Sequence, residues 1–401
     1  MKKDISVELL SILNREKHLF ESDLKTFEEQ LTGLVTNSRF LVLGGAGTIG
    51  QAVTKEIFKR QPRKLHVVDL SENNLVELVR DLRSSFGYIK GDFQTFTLDI
   101  GSVEYDSFFH SDGQYDYVLN LSALKHVRNE KDPFTLMRMV RTNILNTEKT
   151  LQQCISKKVK KYFCVSTDKA ANPANMMGAS KKIMEMFLSR ASKDIDVSMA
   201  RFANVAFSDG SLLHSFKQRI EKRQPIVAPN DIKRYFVTPE ESGLICLFSC
   251  LLGENEDIFF PKLNDELHLL TFSTIACRYL RARGFEPYLC SDEDEARSLV
   301  VSLPDKRIWP CLFTKSDTTG EKDFEEFFTE QEVLEMNRFN GLGIVKKSLD
   351  YESKLLNEFS RGIETLLNQQ HWNKEQILTL FFKLLPEFAH QETGRYLESK
   401  M

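Results

Sequence analysis

F-L-V-L-G-G-A-G-T-I-G, residues 40–50, is the stretch on which the fold turns. Four apolar residues, 40–43, read as a short buried strand. Gly44, Gly47 and Gly50 follow as G-x-x-G-x-x-G, and residues 51–60 read as a helix. Strand, glycine turn and helix in that order suit the pyrophosphate of a dinucleotide. Glycines let the backbone turn tightly and approach the phosphates, which sit at the helix N-terminus. Thr48 and Ile49 lie inside the turn and are assigned to the cofactor with the glycines.

Working outward, short apolar strands are predicted at residues 65–68, 96–98, 117–121, 162–165 and 197–200. Helical stretches separate them, the longest over 132–156. This alternation predicts an α/β fold, a Rossmann-type doubly wound parallel sheet. Residues 38–205 are assigned to it. Residues 206–330, broken by Pro225, Pro229 and Pro239, form a smaller substrate-binding portion with some segments returning to the first domain. Added helices are expected at both ends. Residues 1–37 carry a three-four apolar spacing broken at Lys17, an arm against its own domain or a subunit contact. Residues 331–401 read as a helical extension, with Asn373 and Gln376 as a cap before the apolar run 377–385.

The bulk numbers exclude several classes. The 401 residues carry a formal net charge of −3, with 41% hydrophobic and 28% charged residues. That offers no basic field for nucleic acid. Seven scattered cysteines show no C-x-x-C pair and no metal-ligand spacing, as for reduced thiols in a cytoplasmic protein. The first ten residues lack a signal-peptide core, and the longest apolar run, 243–252, is too short to span a bilayer. A cytoplasmic protein without membrane segment or metal is expected.

Further cofactor positions follow from strand ends. Asp69 closes the second strand about 20 residues after the glycines, where a carboxylate binds both adenosine ribose hydroxyls and repels a 2′-phosphate. NAD is therefore favoured over NADP, with Ser71 and Asn73 near enough to moderate the choice. Asp99 and Ile100 follow the third strand, within reach of an adenine amino group. Small residues Ser122 and Ala123 after the fourth strand admit the cofactor closely. Lys125, ahead of His126, points to the cleft between cofactor and substrate.

The segment S-T-D-K-A-A-N-P-A-N-M-M-G-A-S-K, residues 166–181, resembles the Y-x-x-x-K region of nicotinamide-dependent short-chain enzymes, with Lys181 in place and Met177 where the tyrosine belongs. A thioether carries no proton. With G-G-A-G-T-I-G, S-A-L-K-H-V (122–127), R-T-N-I (141–144), R-F-A-N-V (201–205) and K-R-Y-F-V-T-P-E-E (233–241), it resembles the extended short-chain dehydrogenase/reductases, nearest the UDP-N-acetylglucosamine 4,6-dehydratases of polysaccharide biosynthesis. The larger members carry a membrane domain, so this chain resembles a soluble short form.

That resemblance implies a lyase holding NAD tightly and recycling it. Asp168 is implied as acid and Lys169 as base. Thr167 would bond the C4 oxygen, and Lys181 the nicotinamide ribose. Asn143 of R-T-N-I joins the cofactor set. Met177 marks a branch that retains configuration at C5. Asn204, Arg234, Lys125 and Lys262 are implied for the nucleotide-sugar substrate, although A-F-S-D-G-S (206–211) brings an acidic Asp209 where the family has G-S-x-G-S. A homo-oligomer is implied through the helices flanking residue 177, here 132–156 and 177–191. A 4-epimerase and a non-catalytic nucleotide-sugar or NAD binding protein are the alternatives.

Overall fold

The computed structural model describes residues 5–112, 114–263, 267–322, 324–347 and 352–395. Strand β1, Arg39–Leu43, is followed by β2 (Lys64–Asp69), β3 (Asp92–Thr97), β4 (Tyr117–Asn120), β5 (Lys161–Thr167) and β6 (Asp196–Phe202). All pair in parallel, side by side in the order β6-β5-β4-β1-β2-β3. The chain winds outward in both directions from β1 and β4. At that switch point a crevice opens beyond the C-terminal ends of the strands, and the fold is Rossmann-type.

Two elements differ from expectation for physical reasons. The third strand starts four residues earlier than predicted. As an edge strand, D-F-Q-T-F-T alternates between exposed and half-buried positions and lacks the continuous apolar run of a central strand. The helix expected over 132–156 is interrupted. Pro133–Val140 passes through a single π-turn, Arg141–Leu145, before Asn146–Ser156. Such a turn inserts one residue into the helical ladder.

Residues 331–347 are not helical. Val333–Glu335 and Leu342–Lys347 are strands that extend the main sheet antiparallel beyond Asp257–Pro261, which itself pairs in parallel with β6. Ile344 and Val345 are buried there, so sheet pairing and burial decide their conformation. Beyond residue 352 the expected helices appear, Ser353–Gln369 and Lys374–Leu384. The second carries the predicted cap, with Asn373 and Gln376 bonding each other's backbone N–H.

This C-terminal hairpin lies on the helices Pro133–Val140 and Met176–Ala191. Leu356, Phe359, Ile363, Ile377 and Phe381 pack with Met139, Ile144, Ile183 and Phe187. Each such fully buried apolar side chain contributes roughly 1.5–3 kcal/mol. These are helices through which the resemblance implies subunit pairing, and the chain's own C-terminal helices cover them.

The N-terminal arm, helices Ile5–Ile12 and Glu21–Thr36, lies on its own domain. Arg15 forks onto Glu241 at 2.9 Å twice, Asp23 accepts the backbone N–H of Asn340 and Gly341, and Phe27 meets Phe248 and Phe339 edge-on or tilted. A second, three-stranded parallel sheet (Glu286–Leu289, Ile308–Thr314, Ile226–Pro229) builds the smaller lobe. Phe216, Tyr279 and Trp309 fill its core. Among the described residues no helix is long and apolar enough to cross a membrane, and no cluster could hold a metal ion.

Candidate active site

Three connected cavities, of about 730, 520 and 380 Å³, run along the ends of the strands. The first and second meet at Gly44, Gly47, Leu121 and Ala123. The second and third meet at His126, Lys169 and Gly210.

The glycine turn forms the first junction. Gly44 has φ +72°, and a side chain there would collide with the backbone of Ser122. Gly47 precedes helix Thr48–Phe58, whose N-terminus has no side-chain cap, and a Cβ at Gly47 would meet nothing closer than 3.7 Å. Free N–H groups facing open space are what a pyrophosphate needs. Ile49 and Gly50 line the second cavity, as does Thr48, whose Oγ1 accepts the N–H of Asp209 at 3.0 Å. Asp209 thus braces the glycine turn.

Asp69, Asp99, Ile100, Ser122 and Ala123 all line the first cavity. Asp69 accepts the N–H of Ala46 and of Ser71, each at 2.9 Å, and so also pins the turn. Ser71 itself caps the helix Glu72–Phe86, and Asn73 is exposed outside all three cavities. Its neighbour Asn74 lines the second cavity instead, because successive helical residues point about 100° apart. Asn143 is also displaced from the expected role. Buried in the π-turn, it bonds the N–H and C=O of Leu124 and the Ser180 hydroxyl at 2.9, 3.1 and 3.0 Å, and so positions the loop that carries Lys125.

The chemistry-bearing residues gather at the second junction. Strand β5 ends at Thr167, whose hydroxyl donates to Asp168 Oδ1 at 2.8 Å. The same oxygen accepts the N–H of Lys169 at 2.9 Å and its Nζ at 3.1 Å. Asp168 is 4% exposed and lies behind the wall, whereas Thr167 and Lys169 line it. Lys181, on helix Met176–Ala191, points its Nζ at the carbonyl of Val165 (3.0 Å), and burial lowers its pKa. Met177 lines the same cavity, with most of its surface in the helical core. Lys125 is open to the cavity and 3.4 Å from the Ser208 hydroxyl. Desolvation holds its pKa below the usual lysine value. Desolvation likewise lowers the pKa of His126.

On the facing wall, Asn204 presents a buried Nδ2 for which the described residues offer no acceptor. An unpaired buried donor costs about 1–3 kcal/mol, so its retention here fits a ligand acceptor. Arg234, 4% exposed, lines the third cavity, bonded to the carbonyl of Lys322 at 2.9 Å and facing Glu321 at 3.5 Å. Lys262 lies away from all three cavities. Its Nζ staples the carbonyls of Met336 and Phe339, securing the returning strands. Arg201 is structural. Wholly buried, it forks onto Glu185 and Glu332 at 2.8–3.0 Å and bonds the carbonyl of Phe327.

Sequence reasoning missed Glu325. It comes from the acidic segment 320–328, for which the sequence yields no role. Its carboxyl is 3.7 Å from Lys169 Nζ and 3.9 Å from Arg234 Nη2. Burial raises its pKa, against the pull of Lys169. The available signal was a pair of glutamates, 325–326, beside Phe327, which is buried.

A Rossmann crevice with a glycine turn, a strand-end carboxylate and a buried lysine beside a Thr-Asp-Lys cluster is the arrangement of the short-chain dehydrogenase/reductase fold. The model of the polysaccharide biosynthesis protein family matches residues 40–346, and the chain belongs to that family. Curated proteins to which it is similar include nucleotide-sugar dehydratases and epimerases. The capsular polysaccharide biosynthesis protein CapD of Staphylococcus aureus is 25% identical over 80% of this chain, which spans only 52% of that protein. A UDP-glucose 4-epimerase of Rickettsia typhi is 27% identical over 66% of the chain and 81% of its own. The UDP-N-acetylglucosamine 4,6-dehydratase (inverting) of Campylobacter jejuni is 26% identical over 57% and 68%. Among solved structures, Pen from Bacillus thuringiensis superposes with a TM-score of 0.62 at 21% identity, covering 84% of this chain and 98% of its own, and so shares the fold.

Proposed function

We propose that the protein is an NAD-dependent 4,6-dehydratase that converts UDP-N-acetylglucosamine to a UDP-4-keto-6-deoxy sugar for surface glycans. The observation that carries this reading is the Thr167–Asp168–Lys169 network at the cavity junction, with Lys181 beside it and a methionine at 177. An epimerase needs a C4 acid/base but no group for water loss, so the Asp-Lys pair favours dehydration.

The residues present fit NAD. The uncapped helix N-terminus at Gly47 suits the pyrophosphate, and Asp69 supports NAD over NADP. When bound, NAD supplies a reversible hydride acceptor for C4 and gives the hydride back at C6. The chain's own groups move the protons. Thr167 binds the C4 hydroxyl and passes its proton along its 2.8 Å hydrogen bond to Asp168. Asp168, so protonated behind the wall, returns that proton through the Thr167 hydroxyl to the C6 hydroxyl, which leaves as water. Lys169 takes the C5 proton and returns it. One lysine on one face both takes and returns that proton, which supports retention at C5 and a UDP-2-acetamido-2,6-dideoxy-xylo-hexos-4-ulose. Asn204 holds the diphosphate side with its Nδ2, and Arg234 adds a fixed positive charge.

Incubation of purified protein with UDP-N-acetylglucosamine tests the reading by mass. Loss of one water is expected. An isomer of unchanged mass would mean a 4-epimerase, and binding without change a non-catalytic protein.

A further inference from the structure

The family model ends at residue 346, yet the C-terminal hairpin beyond it reaches the first cavity. Leu367 and Trp372 line that cavity together with Asp69 and Asp99, with Trp372 against Phe134. We propose that this hairpin is the outer wall of the adenosine end of the dinucleotide site, with Trp372 as the aromatic surface that retains adenine. The inference rests on the NAD reading above and adds a binding element to it.

The turn between the two helices is built to hold the indole there. Gln370 ends the first helix with φ +53°, and the Asn373–Gln376 cap starts the second. Between them Trp372 donates its Nε1–H to the carbonyl of Pro133 at 2.9 Å. Its ring meets Phe134 edge-on, with centroids 6.2 Å apart. Phe359 and Phe381 lock the helices together at 5.4 Å, and both are buried. Trp372 itself is half-buried, and its ring borders the cavity. A flat, electron-rich base is the occupant that such a wall favours. The neighbouring Asp69 and Asp99 supply acceptors for ribose hydroxyls and an exocyclic amine.

The chain has two tryptophans, and the other, Trp309, is buried in the smaller lobe. Tryptophan emission titrated with AMP therefore reads Trp372 directly. The wild type is expected to quench, and Trp372→Ala to lose that response while Trp309 still emits. NAD retention through buffer exchange should weaken roughly five- to hundredfold in Trp372→Ala, the range of base–aromatic stacking. Trp372→Phe should restore most of it. Leu367→Ala, which keeps the indole, is expected to fall between. Equal NAD retention in wild type and Trp372→Ala, both folded by circular dichroism, would overturn the proposal and leave the cofactor reading intact. A wild type that binds neither AMP nor NAD would sink both.

Discussion

The two walls of the crevice are built by different rules. The near wall comes from consecutive strand ends: the glycine turn after β1, Asp69 after β2, the loop after β4, and Thr167 to Lys169 after β5. The far wall is assembled from Asn204, Arg234, Glu325 and Trp372, drawn from distant segments by long-range contacts. Motif and register place the first set. Buried ion pairs and strand returns place the second. The near wall is therefore set by neighbours in sequence, and the far wall by contacts between segments far apart in the chain.

Substitutions on each wall should behave accordingly. The largest effect is expected for Lys169→Ala on the near wall, where loss of a general base lowers turnover by roughly 10²–10⁴-fold. AMP binding should be unchanged, since Lys169 does not line the first cavity, where Asp69 and Asp99 stand. Turnover within a few-fold of wild type would remove Lys169 from the chemistry.

Next comes Arg201→Met, which leaves Glu185 and Glu332 buried without their cation. Breaking such a group costs about 3–5 kcal/mol, measurable by chemical denaturation. The far wall depends on it, because Arg201 also holds the carbonyl of Phe327, two residues beyond Glu325. A variant of unchanged stability would show that the far wall is anchored elsewhere.

The smallest effect is expected for Glu325→Gln. Burial raises this carboxyl above its ordinary value of 4.5, so the fold favours the protonated form. The stability it contributes is complete below that ordinary value and is lost as pH rises through the higher folded value. Glutamine removes this dependence, so the wild-type and variant stability curves should diverge over that interval. Parallel curves would mean that Glu325 is not desolvated.

The near wall was legible because its signals are local. G-x-x-G-x-x-G between strand and helix, and T-D-K at a strand end, can each be read within ten residues. Asn73 was misplaced by one helical position, and Asn143 faces inward only because a π-turn rotates it. The far wall was read in part. Arg234 and Asn204 line the cavities, while Lys262 staples a loop and Glu325 went unseen. Nothing near residue 325 or 372 in sequence reveals which strand ends they will face. The strands at 333–347 were missed for the same reason, since Leu342–Lys347, against which Val333–Glu335 pairs, has its sheet partner some 80 residues earlier.

The antiparallel strand Leu342–Lys347 also sets an order of assembly. Strands β1 to β6 pair among residues 39–202, whereas this strand closes on Asp257–Pro261 only after most of the chain has left the ribosome. Until then Arg201 has one of its two carboxylates. The nascent chain thus carries the glycine turn and the Thr167–Lys169 strand end before it carries Glu325 and Trp372, and the near wall can fold before the far wall exists.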